Sequence, residues 1–105
     1  MPILDNATVV FEKTDTSEQV EHPKNYNVIM WNDDVTPMEI VISVLENIFQ
    51  KDFATAVVIT LSIHLSDKGI VGAYPMEQAF KLVETAENYL KRIGQDTLVM
   101  TVEEA

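Results

Sequence analysis

The sequence predicts one small domain that combines strands and helices. Its 105 residues suit a single compact domain, and 47% of them are hydrophobic, which is enough to form a core. A run rich in β-forming residues occupies positions 26–31. Further along, Pro37 and Pro75 each precede apolar residues at helical spacing, a pattern typical of helix starts.

Composition excludes several classes of function. Seven basic against seventeen acidic residues give a formal charge of −10, which would repel nucleic acid and an anionic lipid surface. The chain has no cysteine, so disulfides, thiol nucleophiles and cysteine zinc sites are excluded. The sequence shows no signal peptide and no apolar run of about 20 residues that could span a membrane. We therefore expect a cytoplasmic protein without a cofactor or metal.

The first elements can be predicted in order. Residues 1–24 are interpreted as a flexible acidic N-terminal tail with one apolar cluster, Val9-Val10-Phe11, and residues 25–105 as the folded domain. The strand at 26–31 is followed by a turn, Asn32-Asp33-Asp34-Val35, because Asn and Asp side chains bond their own backbone.

The first helix has the clearest local signal. Thr36 is predicted to cap it, Pro37 to take the first helical position, and Glu39 to complete a capping box. The apolar face predicted behind this start comprises Val41, Val44, Leu45, Ile48 and Phe49.

Two interpretations remain open for residues 53–66. Val57, Ile59, Leu61, Ile63 and Leu65 alternate with other residues, as in a strand, and their β-branched character favours that choice. A helix with Asp52 as N-cap is the other interpretation. Its apolar face would comprise Phe53, Ala56, Val57, Thr60, Leu61 and His64.

The remaining segments are a strand at 69–74, a helix that starts at Pro75 and ends at Gly94, and a last strand at 97–102. The apolar face predicted for this helix comprises Met76, Ala79, Phe80, Val83, Ala86, Leu90 and Ile93.

Catalysis finds little support in the sequence. Ser43 and Ser62 lack the context of a nucleophile elbow, and the only histidines are His22 and His64, which is too few for a metal centre. No glycine-rich phosphate loop is present. We therefore expect a binding protein and no enzyme.

A binding site for a free amino group is one interpretation of the polar residues. An ammonium has three donors that need acceptors, and Asn32, Asp34 and His64 offer an amide oxygen, a carboxylate and a ring nitrogen. Met38, Val41 and Ile63 could form an apolar pocket beside it. Ordinary turn chemistry, a structural histidine and core packing are the alternatives for the same residues.

A longer motif resembles the signature of the ClpS adaptor family. It is the string Asn32-Asp33-Asp34-Val35-Thr36-Pro37-Met38-Glu39, preceded by Tyr26-Asn27-Val28-Ile29, and the likeness continues through Ala56, Ile63-His64, Gly72 and Glu77 to the end, covering 25–105. This resemblance implies an α+β fold, with a three-stranded antiparallel sheet and three helices packed on it, so that residues 53–66 form a helix.

The resemblance also implies a function. ClpS proteins bind N-degrons, which are free N-termini beginning with a large hydrophobic residue, and deliver these substrates to a Clp AAA+ unfoldase of the ClpA or ClpC type working with ClpP. By position, Asn32, Asp34 and His64 correspond to the residues that hold the α-amino group. Pocket positions correspond to Asp33, Thr36, Pro37, Met38, Val41, Thr60, Ile63 and Leu98, with Met38 as gatekeeper against β-branched first residues. The unfoldase-docking positions correspond to Glu77 and Lys81.

Three departures from the family pattern stand out. Thr60 replaces a larger apolar residue, which predicts a roomier or more polar pocket. In residues 77–82, which correspond to part of the family's unfoldase-docking face, Phe80 and Leu82 replace an acidic and a basic residue. In the loop over 64–69, the glycine is displaced from its position in the family. An adaptor that docks on a Clp unfoldase and regulates it without binding N-degrons is therefore the alternative function.

Overall fold

The computed structural model describes residues 24–105, and the tail predicted over 1–24 lies outside them except for Lys24. The elements, in chain order, are β1 (Asn25–Trp31), α1 (Met38–Asn47), α2 (Phe53–Ser66), β2 (Lys68–Pro75), α3 (Met76–Arg92) and β3 (Met100–Glu104). Within the described range, three helices accompany a three-stranded antiparallel sheet, so the α+β prediction is confirmed.

The strand β1 is central in the sheet, whose order is β2-β1-β3. It pairs with β2 from Asn25 opposite Pro75 to Trp31 opposite Lys68, with an irregularity between Val28 and Ile29. Its other edge pairs antiparallel with β3. Val28 and Met30 are fully buried, as expected for the strand between two neighbours.

One hydrophobic core lies between the sheet and the helices. The predicted apolar face of α1 is confirmed, because Val41, Val44, Leu45 and Phe49 are buried and Ile48 packs against them. The core is completed by residues from every other element or its flanking loop: Val28, Met30, Ala56, Ile59, Ile63, Val71, Ala79, Val83, Ala86, Leu90, Leu98 and Met100.

The predicted cap of α1 is wrong. The helix begins at Met38, Pro37 is its N-cap in extended conformation, and no side chain caps it. The Thr36 hydroxyl instead donates a hydrogen bond to the Asp33 carboxylate. A charged acceptor three residues earlier binds this hydroxyl and directs it away from the helix end, so the capping box with Glu39 does not form.

Residues 53–66 form a helix. The Asp52 carboxylate accepts a hydrogen bond from the Thr55 backbone N–H at 2.7 Å, which confirms the predicted N-cap. The predicted helical face is wrong in part, because Phe53, Leu61 and His64 are exposed. The buried face is rotated around the helix and comprises Ala56, Ile59, Thr60 and Ile63, of which Ile59 and Ile63 lie outside the predicted face. Packing against β2 and α1 overrides the β propensity of this segment.

The end of α3 follows the prediction. Gly94 adopts a positive φ of 77°, and Gln95 N–H donates to Leu90 O at 2.8 Å while Gly94 N–H donates to Lys91 O at 3.2 Å. These two bonds form a Schellman motif, which satisfies the last carbonyls of the helix.

Two predictions for the C-terminal part need correction. The apolar face of α3 is narrower than predicted, because Met76, Phe80 and Ile93 are between 41% and 55% exposed. The last strand begins at Met100 instead of residue 97, since the Thr97 side chain bonds to Asp33 in the turn after β1.

Candidate functional site

A small cavity lies where the turn after β1, the start of α1, one face of α2 and the segment before β3 meet. Its volume is about 40 Å³. It is lined by Asn32, Asp33, Thr36, Met38, Val41, Thr60, Ile63, His64 and Leu98. All nine belong to the binding residues predicted from the sequence, so folding gathers positions that are separated by up to 66 residues in the chain.

The Asp33 carboxylate connects the turn to the segment before β3. It accepts hydrogen bonds from the Thr36 hydroxyl, the Thr97 hydroxyl at 2.6 Å and the Val35 backbone N–H at 3.2 Å. The hydroxyls of Thr36 and Thr97, the largest causes, hold the pKa of Asp33 below its usual range. Asp33 therefore stabilises the loop arrangement that forms this side of the cavity.

Thr97 was missed by the sequence analysis. It lies 64 positions from Asp33, and a lone threonine in a polar segment carries no local signal of a distant partner.

The polar side of the cavity comes from two elements that are joined by a backbone bond. Asn32 N–H donates to Asp67 O at 2.7 Å, and Asp67 ends α2 in left-handed conformation. His64 lies in the last turn of α2. The Asn32 and His64 side chains are both exposed and both line the cavity, so its mouth is polar.

The inner surface of the cavity is apolar. Val41, Ile63 and Leu98 are at most 6% exposed, whereas Met38 is 41% exposed at the opening. Thr60 is 3% exposed, and its hydroxyl donates to the Ala56 carbonyl at 2.8 Å. Because that proton is engaged within the helix, Thr60 has no free donor to offer to a bound group.

Four predicted residues lie outside the cavity wall. Asp34 and Pro37 are exposed and do not line the cavity, although both belong to the segment that forms its rim. Glu77 and Lys81 are exposed on the first part of α3, one helical turn apart. Phe80, beside them, is 55% exposed.

Neither a metal centre nor a membrane span is found in the part of the chain that the structure describes. In residues 24–105, no three metal-binding side chains come together. Over the same range, none of the helices combines the length and apolar character needed to cross a bilayer.

Comparison with known proteins adds a second, independent observation. A family model described as "ATP-dependent Clp protease adaptor protein ClpS" matches residues 21–101. The chain belongs to the ClpS family. It is thus related to adaptors of the Clp protease and is not itself an enzyme, as the sequence predicted.

Curated ClpS relatives match most of the chain. The ClpS adapter protein of Herminiimonas arsenicoxydans is 38% identical over 90 residues, covering 86% of this chain and 85% of its own length. That of Shewanella piezotolerans is 41% identical over 90 residues, covering 83% of this chain and 84% of its own. The similarity to ClpS proteins therefore extends over most of the chain and most of each relative.

A solved structure is similar to this ClpS chain in three dimensions. It is Agrobacterium tumefaciens ClpS2 bound to L-phenylalaninamide, with a TM-score of 0.75 and 28% sequence identity. The likeness covers 80% of this chain and all of that one. The fold is therefore that of a ClpS protein.

Proposed function

We propose that this ClpS chain binds the free N-terminus of substrates that begin with a large hydrophobic residue and delivers them to a Clp unfoldase working with ClpP. The observation that carries this proposal is the cavity with the polar Asn32 and His64 at its mouth and an apolar interior. A chain end with a charged amine and an apolar first side chain has the complementary chemistry.

The polar mouth suits an ammonium group. The Asn32 amide oxygen and an unprotonated His64 nitrogen can each accept one of its three donors, and the Asp34 carboxylate follows in the same turn. Hydrogen bonds from a charged donor are stronger than neutral ones. The net charge of −10 also favours a cationic ligand.

The apolar interior suits a hydrophobic side chain. Burying a Leu or Phe side chain is worth about 1.5–3 kcal/mol. The cavity of about 40 Å³ has room for only a few waters, so a side chain must widen it. Met38 is half-exposed at the opening and has three rotatable bonds, which makes it the residue best able to move aside.

The ligand of the similar ClpS2 structure supports the same conclusion. L-phenylalaninamide carries a free α-amino group, a benzyl side chain and an amide, which are the features of an N-terminal phenylalanine residue. This chain presents a polar mouth and an apolar interior that fit the first two.

Delivery is proposed to use the exposed start of α3. Glu77 and Lys81 offer one charge of each sign to an unfoldase of the ClpA or ClpC type, and the tail over 1–24 is proposed as a handle for its pore. A cytoplasmic location stays a prediction.

Fluorescence anisotropy with two peptides tests substrate recognition. A labelled peptide that begins with Phe is expected to bind with micromolar or tighter affinity, whereas its N-acetylated twin, which lacks the ammonium, is expected to bind far more weakly. Asp34→Ala should weaken binding of the first peptide selectively. Glu84→Ala, which removes an exposed acid on α3 that does not line the cavity, is the matched control. Equal binding of the two peptides would refute amine recognition.

Co-purification with ClpA- and ClpC-type unfoldases tests delivery. Wild-type chain is expected to be retained with and without the Phe peptide, and Glu77→Ala combined with Lys81→Ala is expected to abolish retention while peptide binding persists. Retention by an unfoldase without any peptide binding would instead support the regulator that docks without N-degrons.

A further inference from the structure

An apolar groove lies on the side of α2 that does not face the cavity. It has a volume of about 420 Å³ and is lined by Val58, Ile59, Ser62, Ser66, Lys68, Gly69 and Ile70. Val58 is 65% and Ile70 is 56% exposed, and Leu61 and Leu65 add further exposed apolar surface on α2. Contiguous exposed apolar surface of this kind usually marks a contact site.

The groove is distinct from the candidate site. α2 lines the cavity with Thr60, Ile63 and His64, and it lines the groove with a separate set of residues. No side chain is shared between the two. The groove therefore needs an occupant of its own.

The charge in the groove wall and the edge of β2, unpaired among the described strands, indicate the chemistry of that occupant. Lys68 is the only charged residue in the groove wall, so an apolar segment with an adjacent acid would be complementary. β2, which forms one wall, is an edge strand that pairs with β1 alone among the described strands. An exposed strand edge readily accepts a further extended segment.

We propose that the occupant is the N-terminal segment of the same chain, Val9-Val10-Phe11 with Glu12. These three apolar residues are strong β formers, and Glu12 follows them directly, so its carboxylate can pair with the Lys68 ammonium. The segment would thus cover the exposed apolar surface between α2 and β2.

The chain is long enough to make this contact. β1 begins at Asn25 opposite Pro75, and Ile70 lies five residues before Pro75 in β2, a distance of about 17 Å. Residues 12–24 can span roughly 40 Å when extended. The connection therefore reaches the groove with slack, and docking would hold the N-terminus against α2 until a partner displaces it.

Disulfide trapping in the full chain tests the proposal, since the natural sequence has no cysteine. Val10→Cys is combined with Val58→Cys in the groove or, as a matched control, with Val99→Cys. Val99 is also exposed, and its carbonyl accepts a hydrogen bond from the Trp31 N–H. Trp31 pairs with Lys68 across the other edge of β1, so Val99 and Lys68 lie at similar distances from Asn25. Under mild oxidation at low protein concentration, docking should make the groove pair close about tenfold faster than the control pair.

Further variants make the outcome specific. Phe11→Ser in the groove pair should reduce the closure rate to that of the control, whereas Leu4→Ser should not. Equal closure rates for Val58 and Val99 would overturn the proposal. Disulfide-linked dimers whose yield rises with protein concentration would also overturn it, because the occupant would then be a second copy.

Discussion

At the scale of single residues, the three consecutive side chains of the turn after β1 have different surroundings. Asn32 lines the cavity, Asp33 accepts bonds from two threonine hydroxyls, and Asp34 is exposed beside the rim. Their identities alone predict only a turn. The partner that distinguishes Asp33, Thr97, lies far away in the chain, so its role in stabilising the loop arises from tertiary structure.

Asp33 should make stability depend on pH. Because its pKa is lowered in the folded state, its charged form adds stability above the ordinary pKa, about 3.9, and this contribution is lost as pH falls through the lowered value. Asp33→Asn should therefore lower the urea midpoint at pH 6 and have a smaller effect near pH 3. Asp34→Asn should not lower the midpoint at pH 6. A pH-independent effect of Asp33→Asn would contradict the assignment.

His64 should supply an acceptor for the peptide ammonium. His64→Ala removes the ring nitrogen at the mouth of the cavity. Loss of a hydrogen bond to a charged group costs about 1.5–3 kcal/mol, so the affinity for a Phe peptide at pH 7 should fall roughly tenfold or more. His64→Gln keeps an acceptor and should retain more of this affinity. Anisotropy titrations measure all three proteins, and an unchanged affinity of His64→Ala would show that His64 does not contact the amine.

Met38 should control which first residues fit. Met38→Ala widens the opening of the cavity, and a change of this size alters discrimination by about 1–3 kcal/mol. Peptides that begin with Val or Ile are expected to gain affinity relative to one that begins with Leu, as measured by anisotropy competition. Met76→Ala, which shortens an exposed methionine outside the cavity, is the control. Unchanged discrimination in Met38→Ala would remove its gatekeeper role.

At the scale of elements, α2 contributes to two surfaces because its hydrophobic residues exceed what one face can bury. Ile59 and Ile63 pack into the core, while Val58, Leu61 and Leu65 remain 44% to 77% exposed. A helix that is apolar on several sides needs more than one neighbour. The cavity lies on one side of α2, and the proposed N-terminal contact lies on another.

The end of α3 depends on the backbone freedom of one glycine. A Cβ at Gly94 would meet no atom within 4 Å, so Gly94→Ala would cost stability only through its φ of 77°, by about 1 kcal/mol. Gly94→Asn should cost less, because asparagine tolerates this conformation better. Urea unfolding measures both variants, and equal stability of Gly94→Ala and wild type would show that the helix end rearranges without cost.

Over the whole molecule, acidic residues exceed basic ones by ten, and the described residues 24–105 carry 12 acidic against 6 basic residues, a formal charge of −6. Mutual repulsion between acids destabilises a compact state, and salt screens it. Raising salt from about 0.01 M to about 0.15 M shortens the screening length from about 30 Å to about 8 Å. The thermal midpoint at pH 7 should therefore rise, and the rise should vanish near pH 4.3, the isoelectric pH of the sequence. A midpoint at pH 7 that does not respond to salt would argue against net repulsion.

Helical features that depend on local chemistry can be predicted from the sequence. The Asp52 cap, the apolar spacing of α1 and the Gly94 end act over three to five residues, so they can be identified without knowledge of the fold. The family motif, which is also contiguous, identified the ClpS family. Local signals failed at Thr36, where a capping hydroxyl binds Asp33 instead.

The conformation of residues 53–66, which their local pattern leaves open, and the arrangement of the cavity depend on tertiary contacts. The alternation of that segment is consistent with a strand, and burial of Ala56, Ile59 and Ile63 against its neighbours selects the helix. The cavity joins residues 32–41 to 60–64 and to Leu98. Such contacts form between segments far apart in the chain, and no local propensity encodes them, because packing energy exists only once the whole core has assembled.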